Sequence, residues 1–222
     1  MGEAGKRRGT VEAQLKLNIL DNNRKDILPL LKEFKDKFYL AGGTALALQL
    51  GHRISVDFDF FAIDDFNLDD MQKINDRLFK KHKLNAIQME PGTYTILIDD
   101  EIKLSFFKIE HKTIKPFKES EWFKLCSEVE IGAMKISALL RAAFRDYVDI
   151  YFLLKKYSLE EIINLCLKKY PSFEVSVYLK ALLSYDDIEI VPIKYAPGFE
   201  TKPEEVFSFI ENQTKTYIAK HI

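Results

Sequence analysis

With 222 residues, 47% of them apolar and 17 of them Phe, the chain has the material for one large or two small packed units, which excludes a wholly disordered protein. Its 33 basic and 34 acidic side chains nearly cancel, so no global field marks a nucleic-acid or membrane surface, and lysine groups must be judged one at a time. Cys126 and Cys166 stand outside any CxxC or Cys/His cluster, which excludes a disulfide framework and a zinc site and fits a reducing cytoplasm; no apolar run nears the roughly 18 residues that span a bilayer.

Residues 1–10 lack the apolar core of a signal peptide and read as a polar, disordered tail. From Val11 to Lys37 apolar residues recur at helical spacing, with Pro29 expected to interrupt or restart the helix. Phe38 to Ala41 is a short strand ended by Gly42-Gly43, Thr44 to Leu50 a helix, and Gly51 its stop. Ile54 to Ala62 alternates as a strand does, and Phe66 to Lys81 returns to helical spacing. Leu84–Met89, Thr93–Ile98 and Ile102–Ile109 are β runs whose connectors, Pro91-Gly92 and Asp99-Asp100, are turn chemistry, so the last two form a hairpin. After Trp122 the pattern is helical: Ile131–Phe144, Arg145–Lys156, Leu159–Tyr170, Phe173–Tyr185 and Pro203–His221, with Ser158 and Glu161 opening the third by a capping-box arrangement. The fold class is α+β, a mixed sheet first and helices after it.

Asp57 and Asp59, two residues apart in an expected strand, leave the same face with Cα atoms roughly 6–7 Å apart, and two carboxylates so placed can grip one hard cation. Gly42-Gly43-Thr44 lets the backbone approach a ligand closely and opens a helix whose first N–H groups favour phosphate. Each has a plainer reading when taken alone, two solvated aspartates and a capped turn. A phosphate-cradling helix start about a dozen residues before a carboxylate pair is, however, what transfer from a nucleoside triphosphate requires.

The stretch from Ala41-Gly42-Gly43-Thr44 through Gly51-His52-Arg53-Ile54-Ser55-Val56-Asp57-Phe58-Asp59-Phe60-Phe61 resembles the signature of AbiEii-type nucleotidyltransferase toxins, members of the DNA polymerase β-like superfamily. Met134-Lys135 to Arg141 and Arg145-Asp146-Tyr147-Val148-Asp149 are similar to the family's later lysine motif and its RDxxD motif. The resemblance implies a polymerase β-like nucleotidyltransferase domain with a mixed sheet, here residues 1–120, followed by an all-helical domain, residues 121–222, with Mg²⁺ and a nucleoside triphosphate between them. It implies that Gly42, Gly43 and Thr44 hold phosphate, that Asp57 and Asp59 bind metal, that Lys135 and Asp146 complete the active centre, and that Arg53 and Ser55 line it. It further implies a toxin with a cognate antitoxin, acting on the 3′ end of a tRNA or another RNA.

In an unbroken helix Lys135 and Asp146 share a face but stand about 16 Å apart along the axis, too far to meet, so either the two serve different parts of an extended substrate or, the favoured case, the helix breaks near Ala143-Phe144, with Lys135 on the triphosphate and Asp146 near the transferred phosphoryl group or holding a basic neighbour. The plainer alternatives are a solvated Lys135 and a surface ion pair between Arg145 and Asp149 at i, i+4. The strand beside Asp57 and Asp59 carries Lys103 and Ser105 where two-metal relatives place a third acid, Glu101 sits at a turn, and Asp146 is then the expected general base. The expected reaction is attack by an RNA hydroxyl on the α-phosphate of a nucleoside triphosphate, supported by lysine groups at 80–83, 112–118 and 168–169. The rival readings are transfer to a protein or small molecule, and a catalytically degenerate nucleotide-binding protein.

Overall fold

The computed structural model describes residues 14–108 and 110–221, the side chain of Asp70 excepted. The expected polar tail, and the expected element ends at Val11 and Ile109, lie outside the described residues. In chain order the elements are α1 (Asn22–Leu31), β1 (Phe38–Ala41), α2 (Gly42–Leu50), β2 (Phe58–Ala62), α3 (Leu68–Leu78), β3 (Leu84–Glu90), β4 (Thr93–Ile98), β5 (Ile102–Phe107), β6 (Lys118–Glu119) and β7 (Lys124–Leu125). Then come α4 (Glu128–Ser137), α5 (Phe144–Leu154), α6 (Leu159–Lys169), α7 (Val175–Leu183) and α8 (Pro203–His221). The protein is α+β, with one mixed sheet ordered β3-β4-β5-β2-β1-β7-β6. Strand β1 runs antiparallel to β2 and parallel to β7, and β2 runs parallel to β5.

Alternation sorts the central strands into two faces. Phe38, Phe60 and Phe106 point to one side, where Phe34, in the 3-10 turn that follows α1, closes on them with its ring centroid 4.9 Å from that of Phe106. All four are buried, and each contributes on the order of 2 kcal/mol by leaving water. Tyr39, Asp59, Phe61, Ser105 and Phe107 have the opposite parity, and register sets Asp59 between Ala41 of β1 and Ser105 of β5. Asp99 and Asp100, with φ of 54° and 58°, form the tight turn of the β4/β5 hairpin, a conformation that short acidic side chains tolerate.

Five elements depart from what the pattern predicts. Pro29 does not break α1, which runs through it to Leu31; the ring is exposed near the helix end, so the carbonyl it strands is close to water. Strand β2 begins at Phe58 rather than Ile54, because the preceding backbone is bonded elsewhere: the Ile54 amide donates to Lys194 O, and Arg24 Nε donates to Val56 O at 2.8 Å. Helix α4 starts three residues early and stops at Ser137, giving way to a 3-10 turn at Leu139–Arg141 and to Ala142 in the left-handed region. The two-residue strands β6 and β7 have no pattern that periodicity could detect; they are recruited by pairing with each other and with β1.

Candidate active site

The sheet side of the site is built at the end of β1. Gly42 takes a φ of 70°, so the chain turns straight from strand into α2, and no side chain caps that helix start. A Cβ at Gly42 would lie 3.1 Å from Asp59 Oδ2, and one at Gly43 would lie 2.5 Å from Arg53 Nη2. Both glycines are therefore required by close approach, the first to the carboxylate and the second to the guanidinium. Thr44 is buried, and its hydroxyl donates to Asp57 O at 2.5 Å while lying 2.9 Å from Ser55 Oγ. It clamps α2 to the segment leading into β2. With that proton engaged, the uncapped backbone amides of α2 are the donors left open to an anion beside Thr44.

The helical side follows from the break after α4. Because Ala142 reverses the chain, α5 folds back, and Lys135 Nζ meets Asp146 Oδ1 at 2.7 Å and Asp149 Oδ2 at 2.7 Å. Arg53 forks onto Asp149, Nε to Oδ1 at 2.7 Å and Nη2 to Oδ2 at 2.8 Å, and His52 Nε2 lies 2.8 Å from the same Oδ1. Since Asp149 is held as the anion, His52 Nε2 carries the proton, leaving Nδ1 bare and without a partner among the described residues. Arg141 forks onto Asp146. Burial alone would raise the Asp149 pKa, but Lys135 and Arg53 hold it well below the usual carboxylate range. Burial lowers the His52 pKa against the pull of Asp149, so the ring is neutral. The cluster thus carries three cations (Arg53, Lys135, Arg141) against two anions (Asp146, Asp149), a net charge of one positive facing the sheet.

Asp57 and Asp59 are treated differently. Neither carboxylate accepts a hydrogen bond or forms an ion pair with any described side chain, although Asp59 is half-buried. Burial pushes the Asp59 carboxyl up to about 6, with the Asp57 charge adding to the effect and Lys103 opposing it. Two adjacent carboxylates with free oxygens, one of them losing water without gaining a partner, are a donor set that suits a hard divalent cation. The residues present fit such an ion.

All of the site residues expected from the sequence line one cleft of about 510 Å³: Gly42, Gly43, Thr44, Arg53, Ser55, Asp57, Asp59, Lys135 and Asp146. Asp146 holds two basic neighbours, Lys135 on one oxygen and Arg141 on both, as the alternative to a general base has it. The surface ion pair between Arg145 and Asp149 is overturned: Asp149 is buried against Arg53, and Arg145 is exposed at the cleft with no ion-pair partner among the described residues. Ser105, not an acid, lies beside Asp59 in register, and Glu101 is drawn away to Asn23 and Arg24. Sequence reasoning missed His52 and the hub role of Asp149. The signal was present, since Asp146 and Asp149 at i, i+3 share one face of α5 with Lys135 across the break.

The chain matches the family model described as "Nucleotidyl transferase AbiEii toxin, Type IV TA system" over residues 30–206. An uncharacterized protein of Aquifex aeolicus (strain VF5) is 31% identical over 186 residues, covering 82% of this chain and 88% of its own. Among solved structures, JHP933 from Helicobacter pylori superposes with a TM-score of 0.57 at 19% identity, covering 89% of this chain and 91% of that one. A candidate nucleotidyltransferase of H. pylori superposes with a TM-score of 0.55 at 18% identity, covering 90% and 97%.

Proposed function

Since the chain belongs to the AbiEii nucleotidyltransferase toxin family of type IV toxin–antitoxin systems, we propose that it transfers a nucleotide from a nucleoside triphosphate to an acceptor hydroxyl at the 3′ end of an RNA, with tRNA the first candidate. The observation that carries this reading is the unpartnered Asp57/Asp59 pair beside an uncapped helix start, facing Lys135, Arg141 and Arg145 across one cleft. In the reaction the acceptor oxygen forms a bond to the α-phosphorus, the bond from that phosphorus to the bridging β-oxygen breaks, pyrophosphate leaves, and the hydroxyl proton passes to solvent. Asp57 and Asp59 would hold Mg²⁺, which when bound neutralises charge on the phosphoryl oxygens. The Gly42 and Gly43 amides and the head of Arg145, without an ion-pair partner among the described residues, bind the phosphate tail. Lys135 and Asp146 position rather than react: paired to each other, they fix the floor of the cleft and keep its helical side positive. A cognate antitoxin is the expected partner, and the cytoplasm, which supplies triphosphates, the expected compartment.

The acceptor has a second reading, favoured by the lysine groups. Lys83 is paired with Asp100, Lys112 with Asp64, Lys118 with Glu128 and Lys169 with Glu130, which neutralises half of the eight lysines in these groups and so reduces the basic footprint that a large RNA surface calls for. An RNA acceptor is therefore gripped locally, by its end, and a protein acceptor is the rival. The test is to incubate the protein with each of the four triphosphates, labelled at the α-phosphate, together with total RNA and soluble protein. Label in a small RNA is expected, and it should vanish with Asp57→Ala. Label that appears only in protein would move the acceptor to the second reading, and an unimpaired Asp57→Ala would overturn the site.

A further inference from the structure

The cleft has two chemically distinct ends, and the reading above uses only one. Beyond Asp59 on the same face of β2 comes Phe61, and beyond Ser105 on β5 comes Phe107; register sets the two rings side by side, with centroids 5.3 Å apart. Both are half-buried and both line the cleft. The shelf is rigid because it is backed. Tyr39, directly across from Phe61 on β1, stacks on it at 5.9 Å, and Phe117 packs on Tyr39 at 4.7 Å. Ile131 and Met134 of α4 line the same cleft, so an aromatic floor has an apolar wall available to it.

The order of these features along the sheet matters. The start of α2 lies next to Ala41, Asp59 is paired with Ala41, and Phe61 is paired with Tyr39, one further step in the same direction. Moving away from the helix start one meets phosphate-binding amides, then the carboxylates, then the aromatic shelf. The two-residue step from Asp59 to Phe61 is roughly 6.7 Å, about the reach of one ribose from a phosphorus to its base. We propose that Phe61 and Phe107 form a nucleobase-stacking shelf, binding the base of the nucleotide whose phosphate lies at Asp57 and Asp59. This rests on the transferase reading and adds a base subsite to it. The base comes either from the triphosphate or from the terminal nucleotide of the acceptor, and stacking of this kind accepts every base by its π face.

The test measures binding of ATP, CTP, GTP and UTP, of inorganic tripolyphosphate as a probe without a base, and of a short single-stranded RNA with a free 3′ hydroxyl. Phe61→Leu and Phe107→Leu keep apolar volume and remove the ring; Phe61→Tyr restores it. If the shelf holds the triphosphate's base, the Leu variants weaken nucleoside triphosphate binding at least about fivefold and leave tripolyphosphate unchanged. If it holds the acceptor's base, RNA binding falls by that factor and triphosphate binding does not. Phe61→Trp, made with Trp122→Phe so that a single indole remains, gives a direct reporter: its fluorescence should be quenched by the base-bearing ligand and not by tripolyphosphate. Equal binding of all ligands by wild type and a folded Phe61→Leu/Phe107→Leu double variant would overturn the shelf and leave the transferase reading standing. Wild-type protein that binds none of the triphosphates and no RNA would overturn both.

Discussion

On the helical side of the cleft the two oxygens of Asp149 accept from His52, Arg53 and Lys135, while on the sheet side the carboxylates of Asp57 and Asp59 accept from no described side chain, although Arg53 and Lys135 line the same cleft as the two aspartates. Asp149 and Asp59 are both carboxylates wholly or partly removed from water. Asp149 is held well below the usual range and Asp59 is pushed up to about 6. The difference teaches where fold and function part company here: satisfied charges join α2, α4 and α5 into one unit, and unsatisfied charges are left where a ligand would complete them.

The largest effect is expected on the satisfied side. Asp149→Ala leaves Arg53, Lys135 and His52 buried around a missing anion, and removing one partner of such a cluster costs about 3–5 kcal/mol. Urea unfolding followed by circular dichroism reads this directly, and a loss under about 1 kcal/mol would mean that the cluster does not hold these elements together. Asp59→Asn should do the opposite. It removes a charge that burial disfavours, so the melting temperature stays level or rises, while nucleotide transfer falls by about 10²–10³. A variant that lost stability in step with activity would erase the contrast between the two sides.

Most of this contrast was legible in the sequence, and the missing part has a physical cause. Gly42-Gly43, Asp57 and Asp59 sit within 18 residues of one another, so local turn and strand chemistry places them. The partner of Lys135 depends on a chain reversal at Ala142, a non-glycine residue at positive φ that no propensity marks; the helical arithmetic favours a break near Ala143-Phe144 but leaves an extended substrate as the alternative. The plainer alternative pairs Asp149 with Arg145 because i, i+4 spacing is visible in sequence, whereas its partner Arg53 is 96 residues away and is brought in by tertiary packing. Thr44 reads as a phosphate donor because a hydroxyl at a helix start often is one, and only the three-dimensional approach of Asp57 O shows the proton to be engaged. The short strands β6 and β7 exist by pairing, which one strand's own residues do not encode.

Gly42 and Gly43 sharpen the comparison because they are adjacent and serve opposite sides. An alanine at Gly43 would drive its Cβ against the Arg53 head and Ser55 Oγ, loosening the fork onto Asp149, and should cost about 1–3 kcal/mol of stability. An alanine at Gly42 carries backbone strain of about 1–2 kcal/mol at a φ of 70°, and its methyl crowds Asp59 Oδ2 instead. Gly43→Ala should therefore show its main loss in unfolding experiments, and Gly42→Ala should lose divalent-cation binding more than its modest loss of stability explains. Identical profiles for the two variants would show that the glycines serve only the turn.

The smallest effect is a matter of sign in an acid titration. The Asp59 carboxyl, raised from 3.8 to about 6, keeps its proton in the folded chain where the unfolded chain has lost it, so this group lowers stability as pH rises from about 4 to about 6. Asp149, held well below 3.8, acts the other way: its contribution is present above the ordinary carboxylate range and is lost as pH falls toward its folded value. A divalent cation must displace the Asp59 proton, so Mn²⁺ affinity, followed by calorimetry, should be level above about pH 6 and fall by up to roughly tenfold per unit below it. Asp59→Asn should bind weakly at every pH with that slope removed, and Asp149→Asn, if it folds, should keep the slope. A wild-type affinity that stayed level between pH 5 and pH 7 would mean that Asp59 is already ionised and partnered in the free protein, and the two sides of the cleft would then be alike.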